Sequence, residues 1–238
     1  MKAVIIAAGT GSRMGQNAPK TLMKFGDKTI LWTIMNSIAG SGIREFIIVV
    51  GYEANQIRNY VASQADFNKF RVEFAENPEW TRGNGLSVLY SEPYVNNEPF
   101  ILSMSDHIVS PEAITRMVQS KLQENLLLVD PAVSDVFDID DATKVRANND
   151  VIVDIGKEIS GYNCIDCGIF RLTSRYFDSM RKKLVEKKES ISSAITGLID
   201  ADDMRAIFMK RGEYWSDIDT PQAYDNALKI FGKHYPQG

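Results

Sequence analysis

The sequence predicts an α/β fold built on a largely parallel sheet, and three observations carry that prediction. Predominantly apolar runs such as Lys2–Ala8, Glu45–Val50 and Asn125–Asp130 have the texture of strands buried on both faces. Amphipathic segments with apolar residues three and four apart separate them, as in successive βαβ units. A glycine-rich turn, Gly9 to Gly15, follows the first strand directly.

Taken in order, Lys2–Ala8 is the first strand. Thr29–Ala39 carries Ile30, Leu31, Ile34, Met35 and Ile38 at helical spacing, and Gly40-Ser41-Gly42 stops it. Glu45–Val50 is a strand ended by Gly51, Glu53–Ala62 a helix, Phe70–Phe74 a short strand and Asn84–Tyr90 a helix start. Pro99–Met104 is a central strand delivering Ser105-Asp106-His107. Pro111–Leu122 is helical and Asn125–Asp130 extended. From Pro131 to about residue 165 the chain turns acidic and Asn-rich, with short β-like pieces such as Val151–Ile155. This reads as an accessory β-region covering the sheet edge. Ile165–Leu172 returns to the sheet; Tyr176–Glu186 and Ile191–Ile199 are helices, Arg205–Met209 a strand, and Pro221–Phe231 a helix with Pro at its first turn. With no repeat, linker or low-complexity tract, residues 1–238 are expected to form a single domain.

Composition narrows the function. Forty-four per cent apolar and 24% charged residues are ordinary for a soluble globular chain. A net charge of −4 without a basic stripe argues against nucleic acid as a partner. The densest basic cluster, Arg181 to Lys188, is interleaved with acids and reads as a solvated helix face. No apolar stretch reaches the roughly 18–20 residues that span a bilayer, and the first strand lacks the layout of a signal peptide. Membrane insertion is not expected, and the cytoplasm is the expected compartment. Cys164 and Cys167 form a C-x-x-C, but zinc would need further ligands and only His107 and His234 are available. Three residues apart on a strand they face opposite sides, so two reduced packing thiols are expected.

The glycine loop has the makings of a phosphate cradle. Glycines admit positive φ and bring backbone N–H groups to an anion, while Arg13 and Lys20 add full charges. It is not a Walker A loop, since no Gly is followed by Lys-Ser or Lys-Thr at that spacing. It is not a dinucleotide fingerprint either, because the third glycine position holds Met14 and the next segment reads as a helix. Ala8, Gly9, Thr10, Gly11, Ser12, Arg13 and Lys20 are therefore the candidate nucleotide-binding residues of this loop.

Ligands of open α/β sheets bind off the carboxyl ends of the strands, and three acids are placed to converge there. Asp106 follows its strand, and Asp217 and Asp219 share one face of an extended Trp215–Thr220 segment. Carboxylates beside a phosphate loop call for a cation, and Mg²⁺ takes oxygen from one or two carboxylates plus substrate phosphates. Asp106 and Asp219 are the expected ligands, with Asp217 an alternative; helix capping is the plainer role open to Asp219. His107 should alternate away from Asp106 and lend support to the acid.

The motifs G-x-G-x-R-M-G, P-K-T-L, S-D-H, A-T-K-V, I-G-K, Y-N-x-I-D-x-G-I-F and W-S-D-I-D-T-P run the length of the chain. Their pattern resembles the sugar-phosphate nucleotidyltransferase superfamily, and within it the CTP:inositol-1-phosphate cytidylyltransferase branch. The resemblance implies a Rossmann-like three-layer α/β/α nucleotidyltransferase fold with a mostly parallel sheet and a small accessory β-region, about 131–165. It implies CMP transfer from CTP to a phosphorylated small-molecule acceptor, with release of pyrophosphate, in a stand-alone form because the chain stops at Gly238. It places the base near Asn84, Gly85 and Ser87, the acceptor phosphate on Lys144 and Lys157, and an acceptor hydroxyl on Asp166, with Asp140 a weaker candidate. Arg13, Lys20, Asp106, Lys144 and Lys157 form the implied catalytic set. A homodimer through the accessory region is the expectation for assembly. Phosphocholine or another sugar or alcohol phosphate, or a uridylyl or guanylyl donor, remain alternatives. So do a catalytically silent nucleotide-binding domain and a dehydrogenase.

Overall fold

A computed structural model describes residues 1–11 and 18–234. Its strands and helices are β1 (Lys2–Ala7), β2 (Lys24–Phe25), β3 (Lys28–Thr29), α1 (Ile30–Gly40), β4 (Glu45–Val50), α2 (Ala54–Ser63), β5 (Arg71–Glu76), α3 (Asn84–Leu89), α4 (Glu92–Val95), β6 (Phe100–Met104) and β7 (His107–Val109). There follow α5 (Pro111–Gln119), β8 (Asn125–Asp130), β9 (Lys144–Asn148), β10 (Val151–Gly156), β11 (Cys164–Leu172), α6 (Arg175–Val185), α7 (Ile191–Asp200), β12 (Met204–Phe208), β13 (Trp215–Asp217) and α8 (Pro221–His234).

Alternation along the central strands builds three layers. Ala3, Ile5 and Ala7 of β1 face a core closed by α1, α2, α5 and α8, while Val4 and Ile6 face a second core under α3, α6 and α7. The main sheet runs β5-β4-β1-β6-β11-β8-β12-β10-β9. Its β5-β4-β1-β6 half is parallel. The other half is mixed, because β11 enters antiparallel to both β6 and β8. The expectation of a mostly parallel sheet thus holds for one half only. Cys167 lies in the first core and Cys164 in the second, both buried and free, as strand alternation requires.

The accessory region does not cover the sheet edge but extends it. β9 and β10 form a hairpin; β10 meets β12 at Val151 and Arg205, and β9 pairs back to β11 at Cys164 and Ile165. The strands β11, β8, β12, β10 and β9 therefore close on themselves at one end of the sheet.

Helix α1 starts as its sequence dictates: Thr29 Oγ1 accepts a hydrogen bond from Trp32 N at 3.1 Å. Thr29→Ala is expected to cost about 1 kcal/mol, read from urea unfolding. Among the described residues no helix is long and apolar enough to cross a membrane.

Candidate active site

Two clefts open at the carboxyl ends of the central strands. One, of about 320 Å³, is walled by Ala8 to Gly11, Pro19, Lys20, Trp80 and Arg82. The other, of about 730 Å³, is walled by Asp166, Thr143, Asp141, Lys157, Trp215 and Asp217, among others. They share Asn84, Met104, Asp106 and Asp219.

The backbone explains why these side chains meet. β1 and β6 are parallel neighbours, so the glycine turn and Asp106 emerge side by side. Gly11 has φ +63°, and a Cβ there would stand 2.4 Å from Lys20 Cβ. Glycine at this position thus both permits the left-handed turn and leaves room for the lysine. A Cβ on Gly9 would meet nothing within 4 Å, so that residue faces open space. Ser12 and Arg13 lie outside the described residues.

Lys20 Nζ donates to Asp106 Oδ2 at 2.6 Å and also to Asp219 Oδ1. Burial pulls its pKa down, but the two carboxylates outweigh it and hold the ammonium above its ordinary value. Burial likewise works against the Asp106 anion, yet Lys20 and His107 keep that carboxyl well below the usual range. The Trp215–Thr220 segment reaches this point because β13 pairs antiparallel with β7, setting Asp217 opposite His107. Ile218 between the two acids is fully buried, and Asp217 and Asp219 both border the large cleft. Thr220 caps α8, its Oγ1 accepting from Ala223 N at 3.1 Å.

His107 does not alternate away from Asp106. Its Nδ1 lies 2.8 Å from Asp106 Oδ1 and 3.8 Å from Asp217 Oδ1. Although burial lowers it, the Asp217 and Asp106 carboxylates raise its pKa to about 9. Asp217 itself is pushed up to about 7, chiefly by burial. Its Oδ1 is buried and lacks a hydrogen-bond partner.

The acceptor-side residues are less uniformly placed. Lys157 borders the large cleft and pairs with Asp141. Lys144 does not border it: the side chain is buried, and Nζ donates to the Asp140 carbonyl at 3.1 Å and sits over the Tyr162 ring. Asp140 is exposed. On the nucleotide side, Asn84 Oδ1 accepts from Ile191 N, and Ser87 Oγ accepts from Asn77. Gly85 turns away from the cleft, since a Cβ there would strike Met180 Sδ and the Glu189 carbonyl, and its N–H donates to that carbonyl. Its lack of a side chain answers to packing against α6 and the loop that follows it. Trp80 and Arg82 were not singled out from the sequence; an aromatic and a cation just ahead of the Asn84-Gly85 turn were the available signal.

Asp166 lines the large cleft and accepts from Gly168 N at 2.7 Å. Burial raises its pKa to about 6. An acid whose folded pKa is raised is fully stabilising only below its unfolded value. The penalty grows as pH rises through about 6. Asp166→Asn should therefore match the wild type near pH 4 and be more stable at pH 8, by about 1–3 kcal/mol. Urea unfolding at the two pH values checks this.

A glycine turn, a lysine and convergent acids at the carboxyl ends of a doubly wound sheet define a Rossmann-like nucleotidyltransferase fold. The model of the MobA-like NTP transferase domain matches residues 3–135. The chain belongs to that family and is an enzyme of the nucleotidyltransferase class. The Bifunctional IPC transferase and DIPP synthase of Archaeoglobus fulgidus is 32% identical over 222 residues, 93% of this chain and 42% of the relative. The protein of that name from Thermococcus kodakarensis is 29% identical over 232 residues, 96% of this chain and 50% of the relative. The chain spans about half the length of the curated relatives it matches. The solved inositol-1-phosphate CTP transferase from T. maritima superposes with a TM-score of 0.86 at 26% identity, covering 98% of this chain and 95% of that one.

Proposed function

We propose that this domain transfers CMP from CTP to a phosphorylated polyol, inositol 1-phosphate in the first instance, with Mg²⁺ as cofactor. The observation that carries the reading is the meeting of two clefts at Asp106 and Asp219. A transfer between two bulky anions needs two adjoining sites and a charged centre at their junction. The name borne by the T. maritima structure supplies the donor and the acceptor.

The donor set suits a hard divalent ion. Asp106, Asp217 and Asp219 offer only oxygen, and the buried Asp217 Oδ1 has a lone pair no protein group uses. Asp106 and Asp219 would hold the ion, with Asp217 beside them. Bound there, it would supply Lewis-acid neutralisation of the reacting phosphates.

The rest falls to the chain's own residues. An oxygen of the acceptor phosphate bonds to the α-phosphorus of CTP as the bond from that phosphorus to the bridging oxygen breaks, and pyrophosphate carries off the electron pair. A phosphate monoester with a second pKa of about 6 is already dianionic at neutral pH, so no residue need remove a proton. Lys20 and the Gly9–Gly11 backbone face the triphosphate; Arg13 is assigned beside them from the sequence. Lys157 faces the incoming phosphate, and Asp166 is available to the acceptor's hydroxyls. Catalysis then reduces to alignment and charge neutralisation.

Pyrophosphate release across four nucleoside triphosphates and a panel of phosphorylated polyols, with Mg²⁺, tests the proposal. CTP with inositol 1-phosphate should exceed every other pair. Preference for glucose 1-phosphate or phosphocholine would reassign the acceptor, and preference for UTP or GTP the donor.

A further inference from the structure

His107 is locked from four sides. Its Nδ1 sits 2.8 Å from Asp106 Oδ1. Its ring stacks on Trp215, with centroids 6.0 Å apart and planes 15° apart. Trp215 in turn is anchored by Nε1 donating to Asp130 Oδ2 at 2.7 Å. The strand pairing of β7 with β13 holds the His107 backbone opposite Asp217.

The fourth side is a break in a strand. The register of β11 shifts between Asp166 and Phe170, and Gly168 within it has φ +72°. A Cβ on Gly168 would lie 2.4 Å from the His107 ring. Bulges of this kind re-aim side chains beside active sites; here the bulge opens a slot for the imidazole. Asp166, which lines the large cleft, pins the bulge by accepting the Gly168 N–H.

The consequence falls on Asp106. A carboxylate at a strand end can rotate, and each rotamer presents a different oxygen to the nucleotide cleft. With Oδ1 engaged by His107, Oδ2 is the oxygen turned to Lys20. We propose that His107 is a positioning residue: wedged between the Gly168 bulge and Trp215, it fixes the Asp106 carboxylate so that Oδ2 faces the nucleotide cleft. The effect on turnover rests on the function proposed above; the effect on Asp106 geometry does not.

Two variants of the full chain separate this role from packing. His107→Leu fills similar space without a donor, whereas His107→Asn places an amide donor near the position of Nδ1. Partners that orient a ligand's carboxylate or imidazole typically contribute about 10–100-fold to activity or metal affinity. With CTP, inositol 1-phosphate and Mg²⁺, His107→Leu should lower kcat by about that factor, leave KM for the acceptor within about twofold, and be rescued to within about fivefold by His107→Asn. Crystal structures should show Asp106 rotated away from Lys20 in the Leu variant and held in the Asn variant. Asp106 unmoved in the Leu variant overturns the proposal, as does equal impairment of the two variants. If the wild type is inactive with this substrate pair, the functional reading fails, and the Asp106 rotamers in the two crystals still decide the role of His107.

Discussion

Lys20→Ala is expected to lower turnover by about 10²–10³-fold, the scale of losing one preorganised charge partner of a developing anion. The reason lies in where the ammonium is held. Nζ spans Asp106 and Asp219, acids contributed 86 and 199 residues further along the chain, on the wall shared by the two clefts. Removing it takes away the ammonium that joins the two carboxylates and strips a positive charge from the glycine-turn side. The loss should fall on kcat and kcat/KM together, since the charge matters most when pyrophosphate departs. Lys20→Arg should not restore activity: a planar fork cannot replace a compact ammonium seated between two oxygens, under a turn already in close contact with Lys20 Cβ. Pyrophosphate release by each purified variant is the measurement, and a loss of less than about fivefold would reject the role.

How far the sequence could be read follows from how local each signal is. β1, β4 and β8 are apolar runs whose pattern alone announces a doubly buried strand. α1 carries both its periodicity and its Thr29 cap within a dozen residues. The pairing of β7 with β13 joins three-residue strands far apart in sequence, and such short pieces have no period to detect. That pairing is what turns His107 toward Asp106, so alternation along an assumed extended segment gave the wrong side. The mixed half of the sheet escaped for a related reason: a strand's direction is not written in its apolar pattern. For the site, the chemical types were legible in Lys20, Asp106 and Asp219 because each follows a recognisable strand or turn. Lys144 shows the limit. A lysine stem can run either way from its Cα, and here the ammonium finds the Asp140 carbonyl and the Tyr162 ring rather than the cleft. Gly85 likewise looked like a binding turn but is small because Met180 of α6 and the Glu189 carbonyl press on it.

Asp106→Asn is expected to have the largest effect, about 10³-fold or more in turnover, because one carboxylate serves every part of the junction. Oδ2 accepts from Lys20, Oδ1 from His107, and the backbone carbonyl accepts from Ile218 N at 2.9 Å, tying the Asp217–Asp219 segment to the end of β6. The amide is the same shape, so the backbone tie and the fold should survive; what disappears is the charge and one acceptor. An amide nitrogen in either position sets a donor against the ammonium or against the imidazole. A neutral oxygen is also a far poorer ligand for a hard divalent ion than a carboxylate. Asp217→Asn removes a charge further from the lysine, beside rather than between the clefts, and should cost only about tenfold. Electron paramagnetic resonance of Mn²⁺ titrated into each variant with CTP gives a readout independent of turnover: Asp106→Asn should weaken binding much more than Asp217→Asn. If Asp106→Asn keeps both its Mn²⁺ affinity and more than about a tenth of wild-type turnover, the acids at the junction do not hold the cation. The charged centre between the two clefts would then have to be Lys20 alone.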